Sequence, residues 1–230
     1  MSAGYVGGGA ILIIENADDG KDYLALVKRS DDTKVNPGVH SGFFGGSEPG
    51  TIEEELPRYT TYRELREELL IIWGNNIFGI VTPKIDARKV SKSPDNIKGL
   101  YKVWNEKAGI NLKNPKYREI KSREVKLLDY FESKENRKSI SILRIKLPVG
   151  ECIFLDGEGL ELNDESINPN GLLDRRIDLV ELNMFKKWWR EDGVKSLTAD
   201  FSYQGAKRID PSKIKKLSPS LARALTEWGV

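Results

Sequence analysis

The stretch Arg63-Glu64-Leu65-Arg66-Glu67-Glu68 constrains this chain more than any other. Read as a helix, it stacks Glu64, Glu67 and Glu68 on one face, at relative positions i, i+3 and i+4. Carboxylates held that close repel one another, so the arrangement costs free energy unless positive charge lies between them. A hard divalent cation such as Mg²⁺ or Mn²⁺, which takes oxygen ligands, meets that need. The plainer alternative is a solvated face on which Arg63 and Arg66 pair with the glutamates, since such surface pairs form cheaply. Taken by itself, the hexapeptide favours the plainer alternative.

The residues upstream reverse that balance. Residues 42–46 read Gly-Phe-Phe-Gly-Gly, and a glycine-rich, loop-like stretch, Val35 to Gly50, leads through Pro49 into Glu53-Glu54-Glu55. Pro57 is expected to open the helix, because the first helical N–H has no intrahelical partner to lose. Tyr62, Leu65, Leu69 and Ile72 recur at spacings of three and four, an apolar stripe pointing away from the glutamates. The helix is therefore expected over 57–70. A strand, a double-glycine turn, a glutamate and a helix ending in Arg-Glu-Leu-x-Glu-Glu form one compound pattern.

That pattern resembles the Nudix hydrolase family, whose box reads Gly, five residues, Glu, seven residues, then Arg-Glu-U-x-Glu-Glu-x-Gly-U, with U aliphatic. Glu55, Arg63, Glu64, Leu65, Glu67, Glu68 and Ile71 fall in register. Two positions depart. Matching the family's first glycine to Gly46 needs about three extra loop residues, and Leu70 stands where the box has its last glycine. A left-handed C-terminal cap is costly for a branched residue, so Leu70 implies a changed helix exit. Neither departure removes an expected ligand.

The resemblance implies an α+β fold, a Nudix-type α/β/α sandwich with a mixed sheet. It also implies a Mg²⁺- or Mn²⁺-dependent pyrophosphohydrolase. Such an enzyme splits a nucleoside diphosphate linked to another moiety (of ADP-ribose, dinucleotide or nucleoside triphosphate type) by attack of water on phosphorus. The metal would screen the negative pyrophosphate and lower the pKa of bound water. By the same resemblance Glu64, Glu67 and Glu68 would hold the metal, with Glu64 and Glu67 at the centre of catalysis. Arg63 would clamp the box glutamates, Glu55 included, through its planar fork. Gly45 and Gly46 would let the backbone bend beside the metal.

A general base is not fixed by the box. Glu158, in the acidic loop Asp156-Gly157-Glu158-Gly159, is the leading choice, followed by Asp174 before the last expected strand. Each also reads as a solvated loop charge. His40, the one histidine, has a suitable titration range but reads equally as a hydrogen-bonding bystander. Phe44 and Trp104 are the leading residues to stack a base, with Phe43, Tyr101 and Tyr203 behind them. Phe185 and Trp188, at helical spacing, read as core packing.

Composition bounds the remainder. At 230 residues and 26.0 kDa the chain suits one domain, 1–230, with an insertion at 83–124 and a helical C-terminal extension at 195–230. A net charge of +2 with 31% charged residues gives no global field for nucleic acid or membrane. No run approaches the ~20 apolar residues of a spanning helix. Ala10 to Ile14 is short and lacks a basic flank before it, so no signal peptide is expected and a cytoplasmic location is. A lone Cys152 excludes an intramolecular disulfide and reads as a small buried hydrophobe. Glutamine occurs once, at Gln204, while lysine, glutamate and isoleucine abound, a bias typical of proteins from hot environments.

Strands are expected at Gly4–Glu15, Tyr23–Lys28, Ile77–Val81, Val125–Phe131, Ser139–Leu147, Glu151–Leu155 and Ile177–Leu182. Asn183 should cap a helix stopped at Gly193, and Ser218-Pro219 a final short helix. Within the insertion, Asp95 should cap a helix carrying Tyr101 and Trp104. Its Lys84, Lys98, Lys102 and Lys107 suit phosphate contacts, so the insertion is expected to cover a cleft and set specificity, unless it is a dimer contact. The expected partner is a small nucleotide, with no membrane and no extended nucleic acid; a homodimer stays open. Two alternatives remain: a catalytically silent nucleotide-binding module, and a hydrolase acting on RNA 5′ ends. The near-neutral net charge argues against the second.

Overall fold

The apolar run Ala10–Ile14 is the middle of strand β1 (Gly7–Asn16), and β1 is apolar throughout because both of its faces are covered. A strand buried on both sides has no reason to alternate. A computed structural model describes residues 7–28, 38–80, 116–120, 123–133, 138–156, 177–190 and 217–229. Within them β1 pairs antiparallel with β2 (Asp22–Lys28) and, over its first four residues, with β4 (Phe43–Gly46). Its other edge runs parallel to β9 (Lys138–Leu147). The two-residue β3 (His40–Ser41) adds to β2, β8 (Lys126–Ser133) to β9, and β11 (Asp178–Glu181) to the far edge of β2. The sheet order is β11-β2-β1-β9-β8, with β3 and β4 lying off that path.

Layers form on both sides of this mixed sheet, as an α+β architecture requires. On one side lie helix α2 (Arg58–Glu68) and a second sheet. That sheet consists of β5 (Leu69–Trp73), β6 (Asn76–Ile80), β7 (Lys116–Ile120) and β10 (Cys152–Asp156), in the order β10-β5-β6-β7. Ala10, Leu12, Phe43, Leu65, Ile71 and Phe154 meet in the core between them. On the other side α3 (Leu182–Trp188) and α4 (Pro219–Trp228) pack Phe185, Leu221, Ala224 and Leu225 against Ile11, Ile13, Leu24 and Leu26. Ser218 caps α4 by accepting from the Leu221 N–H at 3.2 Å, and Gly229 ends it at φ 73°. Among the described residues no helix is long and apolar enough to cross a membrane.

Several expectations need correction. The stretch Val35–Gly50 is not all loop: Phe43–Gly46 is a strand, so the double glycine lies inside β4 rather than at a turn. The box helix ends at Glu68, and Leu69 already has extended dihedrals, φ −119° and ψ 116°. Leu69 and Ile72 therefore belong to β5, and Leu70 sits in a strand where a branched residue is at ease. That removes the need for a glycine after the glutamate pair. Pro57 caps the helix rather than occupying its first position, and a short α1 (Ile52–Glu55) precedes it. Helix α3 starts at Leu182 behind Glu181, which places Asn183 inside it. Lys116–Ile120, within the proposed insertion, is strand β7, paired parallel to β6. Lys84, Asp95, Lys98, Tyr101, Lys102, Trp104 and Lys107 lie outside the described residues, as does Gly193.

The join between α2 and the main sheet depends on glycine. A Cβ on Gly8 would meet the Pro57 carbonyl oxygen at 2.4 Å and the Thr61 hydroxyl at 2.8 Å. The Thr61 hydroxyl donates to the Gly9 carbonyl at 3.2 Å, and Tyr62 and Leu65 are fully buried beneath the helix. Burial of a leucine of this kind stabilises by about 1.5–3 kcal/mol, so even a small lift of the helix is felt. Gly8→Ala is expected to destabilise the fold by about 1–3 kcal/mol in urea unfolding, the usual scale of overpacking. An unchanged midpoint would show that α2 has room to move.

Candidate active site

Thr51 starts the construction of the site. Its hydroxyl accepts from the Glu53 N–H at 3.2 Å and caps α1, a single turn that directs Glu53 inward to 4% exposure. Arg63, on the second turn of α2, meets it there: the Arg63 Nε donates to Glu53 Oε1 at 2.9 Å. Glu53 Oε2 accepts from the Glu48 N–H at 3.1 Å, so both of its oxygens are bound. The Arg63 Nη2 lies 2.7 Å from Glu64 Oε1 and also donates to the Gly46 carbonyl. Glu48 Oε1 is 3.9 Å from Nε. Among the described residues, one guanidinium thus meets three carboxylates and a strand carbonyl. The planar fork of arginine suits this, and a lysine point charge does not.

Gly45 makes room for Glu64. A Cβ built on Gly45 would fall 1.8 Å from Glu64 Oε1 and 2.0 Å from its carboxyl carbon. The carboxylate therefore lies directly over the backbone of β4. It is 7% exposed as a residue, and Glu68, one helical turn further, is 8% exposed. Arg66 faces elsewhere: it donates to the Tyr62 hydroxyl at 2.8 Å, stands over that ring at 5.0 Å, and is 4.0 Å from Glu119. Burial raises the Tyr62 phenol pKa above its usual value, so it stays neutral beside this arginine.

Of the residues singled out in the sequence, the structure brings Gly45, Gly46, Arg63 and Glu64 into contact, with Glu68 on the next turn of the same helix. The backbone of Glu55 and Glu67 is described but their side chains are not, and Trp104, Glu158, Asp174 and Tyr203 lie outside the described residues. Among the described residues no group of three His, Cys, Asp or Glu side chains is gathered for a metal. Phe43 packs into the core on the α2 side, whereas Phe44 faces the opposite side, its ring against Gly9 and Gly42. His40 is 1% exposed, its Nε2 2.9 Å from Asp178 Oδ2 across β2, and it stands in the fold rather than at a cleft. Glu53 escaped the sequence reading. Thr51 starts a separate helical turn, and its phase turns Glu53 toward Arg63; the expected Arg63–Glu55 contact involves a side chain outside the described ones.

Cys152 lies partly buried on β10. Burial pushes its thiol up to about 12.

Comparison with known proteins finds no matching family model and no matching curated protein. Among solved structures, the crystal structure of a NUDIX hydrolase from Alicyclobacillus acidocaldarius is similar, with 14% sequence identity and a TM-score of 0.33. The similarity covers 64% of this chain and 71% of that one.

Two measurements test these contacts. Arg63→Ala leaves Glu53 and Glu64 without their shared cation and is expected to cost about 3–5 kcal/mol in urea unfolding, with Arg63→Lys recovering only part of it. A loss below about 1 kcal/mol would mean that the clamp is not structural. The folded Cys152 thiol should resist Ellman's reagent at pH 8, and its raised pKa makes stability fall as pH rises past the unfolded thiol's pKa. Labelling of native protein as fast as of urea-unfolded protein would contradict this.

Proposed function

We propose that this chain is a Nudix-type, Mg²⁺- or Mn²⁺-dependent hydrolase that cleaves a phosphoanhydride in a nucleotide of the nucleoside diphosphate-X class. The observation that supports the reading most is the Glu64 carboxylate, seated over Gly45 and held by Arg63, with Glu68 one turn beyond. A side chain is missing from β4 at Gly45, where the Glu64 carboxylate comes down on the strand. Ordinary surface glutamates need no such arrangement.

The residues suit a hard cation. Carboxylate oxygens are the donors such ions take, and a guanidinium shared by three carboxylates leaves the cluster rich in negative charge. Glu64, Glu67 and Glu68 would hold the ion, which supplies charge screening for the phosphates and activation of water when bound. Arg63 fixes the direction of Glu64, and Glu53 fixes Arg63 in turn. Glu158 and Asp174 are the acidic residues to test as general base, since His40 is enclosed and bound to Asp178.

Purified protein with Mg²⁺ should release nucleoside monophosphate or phosphate from at least one member of a nucleotide panel. Glu64→Gln and Glu67→Gln should each lower that rate about 10²-fold or more, on the scale of losing one charge-stabilising group, with an unchanged far-ultraviolet spectrum. A panel with no turnover, or full rates in both variants, would refute the reading.

A further inference from the structure

A cavity of about 390 Å³ opens at one end of the main sheet, between the first residues of β1, the facing ends of β8 and β9, and helix α4. Small-molecule sites occupy roughly 300–1,000 Å³, so it has the size of one. Phe44, Phe131 and Ile140 give it an apolar side. The ring of Phe44 lies against the backbone of Gly9 and Gly42, in space that a Cβ on either would fill.

Charged groups of both signs line the same cavity. Lys138 and Glu132 come from the strands, Arg223 and Glu227 from α4. Arg223 Nε meets Glu227 Oε1 at 2.7 Å, with side chains 64% and 35% exposed, a pair that can exchange partners at little cost. A flat aromatic face edged by carboxylate acceptors and cationic donors is complementary to a planar heterocycle carrying both N–H donors and carbonyl or ring-nitrogen acceptors. An aliphatic ligand would leave the charged rim unused, and a simple anion would leave the ring and the carboxylates unused.

The cavity also adjoins the carboxylate site. Gly7 and Gly8 line it, and they are the cross-strand partners of Gly46 and Gly45. Such partners are about 4.5–5.5 Å apart at Cα. Gly45 carries the Glu64 carboxylate on the opposite face, so among the described residues the glycine backbone of β1 and β4 stands between the two places.

We propose that this cavity receives the nucleobase of the substrate, that Arg223 and Glu227 read its edge, and that the phosphates cross the glycine rim toward Glu64. The proposal rests on the reading of the site as a nucleotide hydrolase. It puts base recognition on α4 rather than on residues 83–124.

Calorimetry with adenosine, guanosine and cytidine in EDTA, with ribose as control, isolates the cavity from metal and phosphate. At least one nucleoside should bind about tenfold or more tighter than ribose, within the range of base–aromatic stacking. Glu227→Gln and Arg223→Ser, on the exposed side of α4, should alter the ranking among bases by about tenfold at an unchanged unfolding midpoint. Phe44→Leu should weaken every nucleoside alike. Nucleosides that bind no better than ribose, or a ranking unchanged within twofold in both α4 variants, would overturn the proposal. Hydrolysis lost in Glu64→Gln beside such an unchanged ranking would refute the cavity and spare the enzyme reading. Nucleoside binding without turnover of any nucleotide would do the reverse.

Discussion

The close seating of α2 on the β1–β4 ribbon is the constraint on which the rest depends. Helices pack on sheets through side chains, which normally hold the two backbones well apart. Here Gly8 and Gly45 remove those side chains, so the Pro57 carbonyl and the Glu64 carboxylate come down onto strand backbone. Tyr62 and Leu65 then sit in the core at full burial, and the polar side of the helix is drawn to the surface of β4. Ser47 closes the same seam: its hydroxyl lies 2.8 Å from that of Thr60 and donates to the Glu53 carbonyl at 3.2 Å. A glycine that looks like a turn residue in sequence is a clearance in the structure.

Arg63 converts that clearance into a fixed charge geometry. A buried carboxylate is costly unless its oxygens are bound, and a buried guanidinium needs its donors satisfied. With Glu53, Glu64 and the Gly46 carbonyl around it, each group answers the other's need. Such a network specifies orientation more than it adds net stability. Orientation is what a metal site requires of its ligands, because supporting contacts set both ligand direction and affinity.

How much of this was legible in the sequence follows from which physical signals are local. Apolar patterning is local, and it placed β2, β6, β8, β9 and the last helix within two residues. The start of the last helix at Ser218 and Pro219 was likewise read from local residues. The junction at Leu69 was not legible, because Leu65, Leu69 and Ile72 fit a helical stripe and the pairing of β5 with β10 is long-range. The contact of Arg63 with Glu53 was hidden as well, because the separate phase of α1 that brings Glu53 round does not show in the spacing of the box. Phe44 was legible as an aromatic beside the site, but its side of the sheet is set by strand alternation, which a stretch read as loop does not reveal.

In the proposed function, the missing side chain at Gly45 is what seats Glu64 as a metal ligand. Titration of Mn²⁺, followed by electron paramagnetic resonance, tests this directly in wild-type protein and in Gly45→Ala. Saturable binding by the wild type is expected, with an affinity about 10–100-fold weaker in the variant, the range for disturbing a ligand's support, and with the fold retained by circular dichroism. Equal Mn²⁺ affinity in the two proteins, or no saturable binding by the wild type, would contradict it.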